Sequence, residues 1–249
     1  MRKMNNKKIL LSIVSIMLFF SFIIGGCALY VSDYYRADLG AIQAFAAGGN
    51  VKKAVISDRV IAYGEADSDV GFIFYPGGKV ECAAYEPLMM ELALKGIFCV
   101  LVEMPFNLAV LDMNAADGLR ELYPEIDRWY IGGHSLGGSM AASYLAKHTE
   151  DFGGIVLLGA YSTADLSATT LGALSLYGSE DNVMNCEKYG QYKKNLPSDL
   201  TEIEIEGGCH AYFGMYGKQK GDGVPTLSAE EQIRVSADYI SKFIFEGEN

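Results

Sequence analysis

Ser135 sits at the centre of Gly133-His134-Ser135-Leu136-Gly137. A short apolar run, Trp129-Tyr130-Ile131-Gly132, leads into it, and a helix-like run from Ser139 to Lys147 follows. Strand, sharp turn and helix in that order place a serine at the apex of a nucleophile elbow. The flanking glycines let strand and helix approach closely, and the tight turn holds the serine backbone in a strained conformation. Its hydroxyl then points into open space at the positive end of the following helix.

A serine hydroxyl is a weak nucleophile until a base takes its proton. The chain has three histidines. His134 lies inside the elbow but off its apex, which suits packing. His148 ends the helix behind the elbow, where a cation meets the negative helix end. His210 follows Ile203-Glu204-Ile205-Glu206-Gly207-Gly208-Cys209, a strand running into a glycine loop, and is the candidate base. A base of this kind needs a carboxylate to fix its tautomer and stabilise its protonated form. Leu174-Ser175-Leu176-Tyr177-Gly178-Ser179-Glu180-Asp181 runs a strand into two acids, of which Asp181 is the choice and Glu180 its rival. An oxyanion hole needs backbone N–H groups aimed at the developing negative charge. Leu136, just after the serine, supplies one. The loop Pro76-Gly77-Gly78-Lys79 supplies the other, from Gly78 or alternatively Lys79.

These residues need a frame that brings loop ends together. Asp33 to Asn50 reads as a short helical lead-in, and Val51 to Tyr63 as an edge strand or hairpin. Strands are expected at Val70–Tyr75, Ile97–Glu103, Arg128–Ile131, Gly154–Leu158, Ala173–Tyr177 and Thr201–Ile205. Helices are expected at Ala83–Lys95, Asp112–Leu122, Leu136–Lys147 and Ser228–Phe245, the last capped by Ser228 with Glu231 three positions on. The alternation predicts an α/β fold with a mostly parallel sheet covered on both faces. Sites in such sheets lie at the carboxyl ends of the strands. No long insertion follows Gly154–Leu158, so no large lid is expected.

The motif set resembles the α/β-hydrolase superfamily, and within it the compact bacterial alpha/beta hydrolase family 5 group, distantly related to the dienelactone hydrolases. The matching pieces are Tyr75-Pro76-Gly77-Gly78-Lys79-Val80, Met104-Pro105-Phe106-Asn107-Leu108-Ala109, Gly132 to Gly138, Tyr177 to Asp181 and Gly207 to Gly214. They extend over about residues 51–246. The resemblance implies a serine hydrolase that forms a covalent acyl-enzyme and cleaves a carboxylic ester or related small acyl compound, without metal or organic cofactor. Dienelactone hydrolases use a cysteine nucleophile where this chain has Ser135, and the group carries asparagine where Cys209 stands. Two other readings use the same residues: a cell-envelope acyltransferase with the same triad, and a non-catalytic binding module on a hydrolase scaffold.

Composition narrows the setting. The 249 residues are half hydrophobic and carry a formal net charge of −11. The first eight hold four basic residues and no acid, so the remainder is more acidic still. Nucleic-acid binding, which wants a basic patch, is excluded on that ground. No charge interrupts the chain from Ile9 until Asp33, and Ile9 to Val31 is long enough to cross a bilayer, which needs about 20 apolar residues. Residues 1–32 therefore read as a transmembrane anchor or signal segment, and residues 33–249 as the hydrolase domain. A retained anchor would leave the body outside the cytoplasmic membrane. A lipoprotein cleaved before Cys27, or a released protein, would place it there too. Cys82, Cys186 and Cys209 fall in expected loops near the site, and Cys99 in an apolar strand. Gly221-Asp222-Gly223 reads as a solvated turn, since one acid cannot hold calcium. Glu103 reads as an exposed loop acid, while Tyr161 and Tyr212 are candidate pocket walls.

Overall fold

In the computed structural model, residues 6–246 are described, and the chain divides into two units, one ending at Tyr34 and the other beginning at Tyr35. The first unit is helix α1, Asn6–Ser32. Its stretch Leu10–Ser32 has a mean hydropathy of 2.4 and is long and apolar enough to cross a membrane, a pattern that a signal sequence shares. The basic Arg2 and Lys3 lie outside the described residues.

The second unit is built on one eight-stranded sheet. Its strands are β1 (Lys53–Ser57), β2 (Val60–Tyr63), β3 (Val70–Tyr75), β4 (Phe98–Val102), β5 (Arg128–His134), β6 (Gly154–Leu158), β7 (Gly172–Gly178) and β8 (Asp199–Ile205). They lie in the order β1-β2-β4-β3-β5-β6-β7-β8. From β4 to β8 every pairing is parallel, while β1 and β2 form an antiparallel hairpin on the β4 edge. Central strands β3, β4 and β6 are buried along their whole length, as their continuous apolar runs require.

Alternation along β3 shows how the core divides. Phe72 and Phe74 share one apolar layer with Leu88 and Leu92 of helix α3 (Glu86–Leu94) and Ile233, Ile240 and Ile244 of helix α6 (Ala229–Glu246). Ile42 and Phe45 of helix α2 (Leu39–Ala46) join that layer. Ile73 and Tyr75 share the opposite layer with Ala141 and Leu145 of helix α4 (Leu136–Leu145). Ser228 caps α6 as expected: its Oγ accepts the Glu231 N–H at 3.2 Å, and the Glu231 carboxylate accepts the Ser228 N–H at 2.7 Å.

Two sequence expectations fail. The helix expected over Asp112–Leu122 is a series of turns ending in a single 3-10 turn, Arg120–Leu122. The Tyr75 hydroxyl donates to the Met113 carbonyl at 3.1 Å and accepts from the Ala116 N–H at 2.8 Å, taking backbone groups a helix would use. Gly118, at φ 75°, breaks the path again. Cys186 does not lie in a loop. It opens helix α5 (Cys186–Tyr192), which Asn185 caps by accepting the Lys188 N–H at 2.8 Å. Cys82 lies in a buried 3-10 turn, Cys82–Tyr85, and all five cysteines are free.

Candidate active site

Parallel strands bring the ends of β3, β5, β6, β7 and β8 to one edge of the sheet. Ser135 follows β5 directly and caps α4 with φ 51° and ψ −120°. Its N–H is held by the Leu158 carbonyl at 2.9 Å, which fixes the turn to the end of β6. The left-handed φ is costly for a residue with a β-carbon. Gly137 makes the turn sterically feasible: a β-carbon there would come within 2.2 Å of the Tyr75 carbonyl oxygen.

Asp181 and His210 meet at the ends of β7 and β8. His210 Nδ1 lies 2.7 Å from Asp181 Oδ2, and both side chains are almost fully buried. The other carboxylate oxygen, Oδ1, accepts the N–H groups of Val183 at 2.9 Å and Met184 at 2.8 Å. Those amides orient the carboxylate, so Oδ2 takes the Nδ1 proton and His210 Nε2 keeps a free lone pair. Nε2 is buried and has no hydrogen-bond partner among the described residues. Ser135 therefore does not hydrogen-bond to His210 here. Such bonds are commonly loose before substrate binds. Gly159, at the end of β6, lies between them: a β-carbon there would stand 2.9 Å from His210 Nδ1, and the residue lines one cleft with Ser135. Among the described residues the imidazole's carboxylate partner is Asp181, with no hydrogen bond from Glu180. Its backbone N–H donates instead to the Gly208 carbonyl at 2.8 Å.

The two expected oxyanion donors are brought together. A β-carbon on Gly78 would lie 2.9 Å from Leu136 Cδ2, so only a bare backbone fits there. Neither the Gly78 nor the Leu136 N–H has a hydrogen-bond partner among the described residues. The alternative, the Lys79 N–H, is engaged: it donates to the Asn107 carbonyl at 2.7 Å.

His134 does more than pack. Its Nδ1 is 2.7 Å from the Tyr85 hydroxyl, which also accepts the Gly77 N–H at 3.1 Å. Burial holds the His134 imidazole well below its ordinary 6.5, and the adjacent His210 pushes the same way, their ring centroids being 4.5 Å apart. His148, by contrast, stacks on Tyr144 at 4.2 Å.

Asp222 corrects the sequence reading most clearly. It is no solvated turn residue. Its Oδ1 accepts the N–H groups of His210 at 3.2 Å and Asn182 at 3.4 Å, and Oδ2 accepts that of Ala211 at 2.8 Å. Gln232 clamps the residue before His210, accepting the Cys209 N–H at 2.9 Å and donating to its carbonyl at 2.8 Å. The only sequence signal for either was an amphipathic helix with a polar Gln232 on its buried face. Burial, with the nearby Asp222 carboxylate, pushes the Cys209 thiol up to about 12, so it stays protonated.

Beside Ser135 lies a cleft of about 250 Å³, walled by Leu136, Ala160, Tyr161, Val183 and Met184, with no charged side chain in its lining. Tyr161 stacks on Tyr192 at 5.6 Å. Tyr212 lines a separate groove with Cys209 and Asp222.

An elbow at the end of β5, a joined acid–base pair at the ends of β7 and β8, and a parallel sheet with an antiparallel edge define a hydrolase of the α/β class. The chain belongs to the alpha/beta hydrolase family, whose model matches residues 71–234, and membership implies hydrolysis of a small-molecule substrate. Among solved structures it is similar to a predicted CIB-like hydrolase from Thermoplasma acidophilum, at 15% identity and a TM-score of 0.56 over 78% of this chain and 99% of that one. At that identity the likeness concerns the fold. None of the curated proteins matches the chain.

Proposed function

We propose that this chain is a serine hydrolase that cleaves a carboxylic ester or related acyl compound through a covalent acyl-enzyme. Ser135 attacks the carbonyl as His210 Nε2 takes its proton. Asp181 holds His210 in the tautomer that leaves Nε2 unprotonated and stabilises the imidazolium once it forms. The N–H groups of Gly78 and Leu136 receive the oxyanion. His210 then protonates the leaving alcohol, and water activated by the same nitrogen releases the acid.

The observation that carries this reading is the buried, unpartnered Nε2 of an imidazole whose Nδ1 is held by a carboxylate that is itself fixed by two backbone amides. Residues 1–32 serve as the anchor and residues 33–249 as the catalytic domain, held outside the cytoplasmic membrane.

Ser135→Ala is expected to abolish fluorophosphonate labelling and turnover of p-nitrophenyl butyrate with the fold intact by circular dichroism. Undiminished turnover would refute the assignment. Asp181→Asn should lower kcat by roughly 10⁴-fold, because an amide cannot hold the required tautomer.

A further inference from the structure

Only Asp33 and Tyr34 separate Ser32, the last residue of α1, from Tyr35. Three peptide steps reach no further than about 11 Å, whatever the orientation of α1. Tyr35 is bolted to the loop that carries the Gly78 amide. Its N–H donates to the Lys79 carbonyl at 2.7 Å, and its own carbonyl accepts the Glu81 N–H at 2.9 Å. The tether therefore ends on the oxyanion loop and not at the far side of the sheet.

The same loop is joined to an apolar fringe. Lys79 N–H donates to the Asn107 carbonyl, and two tight turns, Pro105–Asn107 and Ala109–Leu111, present Phe106, Val110 and Leu111 at 65%, 56% and 55% exposure. Phe106 and Asn107 are consecutive left-handed residues, at φ 53° and 56°. That backbone is costly for residues with a β-carbon, and it ends with an aromatic ring in water. Large apolar side chains exposed close together in the chain, in a segment hydrogen-bonded to the Gly78 loop, mark a contact surface.

We propose that this fringe seats the mouth of the site in the outer face of the bilayer that α1 spans, and that the substrate is an uncharged, long-chain acyl ester drawn from that leaflet. The inference rests on the serine hydrolase reading and on retention of α1. A single short tether does not fix an orientation. A second apolar contact does, in the way that stable membrane attachment generally takes two signals. The occupant is the lipid surface because chain length holds the oxyanion loop within a few residues of it. The cleft beside Ser135 offers no counter-charge to an ionic substrate. An ester entering from the leaflet would pass the fringe with its chain still in apolar surroundings.

The test uses the full chain reconstituted in phosphatidylcholine vesicles. The sole tryptophan, Trp129, is buried at 3% exposure, so an indole introduced by Phe106→Trp reports its own surroundings. Brominated acyl chains should quench it strongly and leave the unmodified chain nearly unaffected. Quenching no greater than that of the unmodified chain overturns the proposal, as does recovery of the protein free of vesicles. In parallel, Phe106→Ser combined with Val110→Ser and Leu111→Ser should lower turnover of vesicle-borne 4-methylumbelliferyl oleate at least tenfold. It should leave p-nitrophenyl acetate in solution within twofold. Equal effects on the two esters also overturn it. Quenching without any ester turnover or fluorophosphonate labelling would instead sink the hydrolase reading and leave the seating intact.

Discussion

The Tyr85 hydroxyl lies 2.7 Å from His134 Nδ1, and it takes the Gly77 N–H at 3.1 Å as well. That oxygen takes the Gly77 N–H on one lone pair and still has a proton and a second lone pair to share with Nδ1, so one hydroxyl bonds both segments in either imidazole tautomer. The consequence is mechanical. Gly77 precedes one candidate oxyanion donor, Gly78, and His134 lies two residues before the other, Leu136. Tyr85 is a strut between the two segments that carry the candidate donors.

Tyr85→Phe removes that strut with little change in volume. Removing an oxyanion donor outright costs about 10²–10³ in kcat, so letting one drift should cost less, on the order of tenfold. KM for a small ester should stay put, while affinity for a tetrahedral boronate falls in step with kcat. Equal changes in KM and kcat would point to general loosening instead.

The Asp222 carboxylate ties the loop after β7, through Asn182, to the loop after β8, through His210 and Ala211. Asp181 and His210 are therefore held in register by a third acid that touches neither side chain. Asp222→Ala should lower kcat/KM by about 10²-fold, the scale of a displacement near 1 Å. Fluorophosphonate labelling of Ser135 should slow in parallel, because the base is displaced. Asp222→Asn, which keeps one acceptor oxygen, should fall between. Measurement of all three rates with thermal midpoints separates displacement from unfolding.

Much of this site is legible in residue order because each piece is local. A strand, a strained serine and a helix make the elbow, and a strand running into Gly178-Ser179-Glu180-Asp181 or Gly207-Gly208-Cys209-His210 marks a loop at a sheet edge. What sequence does not carry is the second layer. Tyr85 reaches His134 across 49 positions, and Gln232 reaches Cys209 across 23, through packing that only the folded sheet creates. Asp222 looks like a turn residue because Gly221 and Gly223 flank it. The helix expected at Asp112–Leu122 is absent for the same reason: Tyr75 of β3 takes its backbone groups from a distance. The bond that engages the Lys79 N–H likewise comes from Asn107, 28 positions on, which residue order does not bring near.

His134 also sets a pH dependence. Burial holds its folded value well below the ordinary 6.5, so the unfolded chain takes up a proton that the folded chain refuses. Its contribution to stability is complete above pH 6.5 and declines as pH falls from there toward the depressed folded value. Urea midpoints measured from pH 8 to pH 5 should therefore drop on the acid side. His134→Gln should flatten part of that slope, since it cannot ionise. A variant as acid-sensitive as the parent would show that other groups carry the effect.

Where the chain can be cut follows from Tyr35. A chain beginning at Asp33 lacks α1 but keeps the Tyr35 N–H on the Lys79 carbonyl, the Tyr35 carbonyl on the Glu81 N–H, and the Tyr35 ring beside Tyr216, 5.7 Å between centroids. It should be soluble and turn over p-nitrophenyl butyrate with the kcat of the full chain. A chain beginning at Ala37 retains the Asp38 cap of α2, whose carboxylate accepts the Ala41 N–H at 3.0 Å, but loses both backbone bonds to the oxyanion loop. Two hydrogen bonds are worth about 1 kcal/mol each, so this shorter chain should still fold. The segment that carries Gly78 is then held by Tyr85, by Asn107 and, at its far end, by the Ala37 nitrogen on the Glu81 carboxylate, with the two Tyr35 bonds gone. kcat should fall severalfold with KM nearly unchanged, and Tyr85→Phe in the shorter chain should cost more than in the longer one. Strict additivity of the two changes would mean that the Tyr35 bonds and the Tyr85 strut act on separate parts of the site.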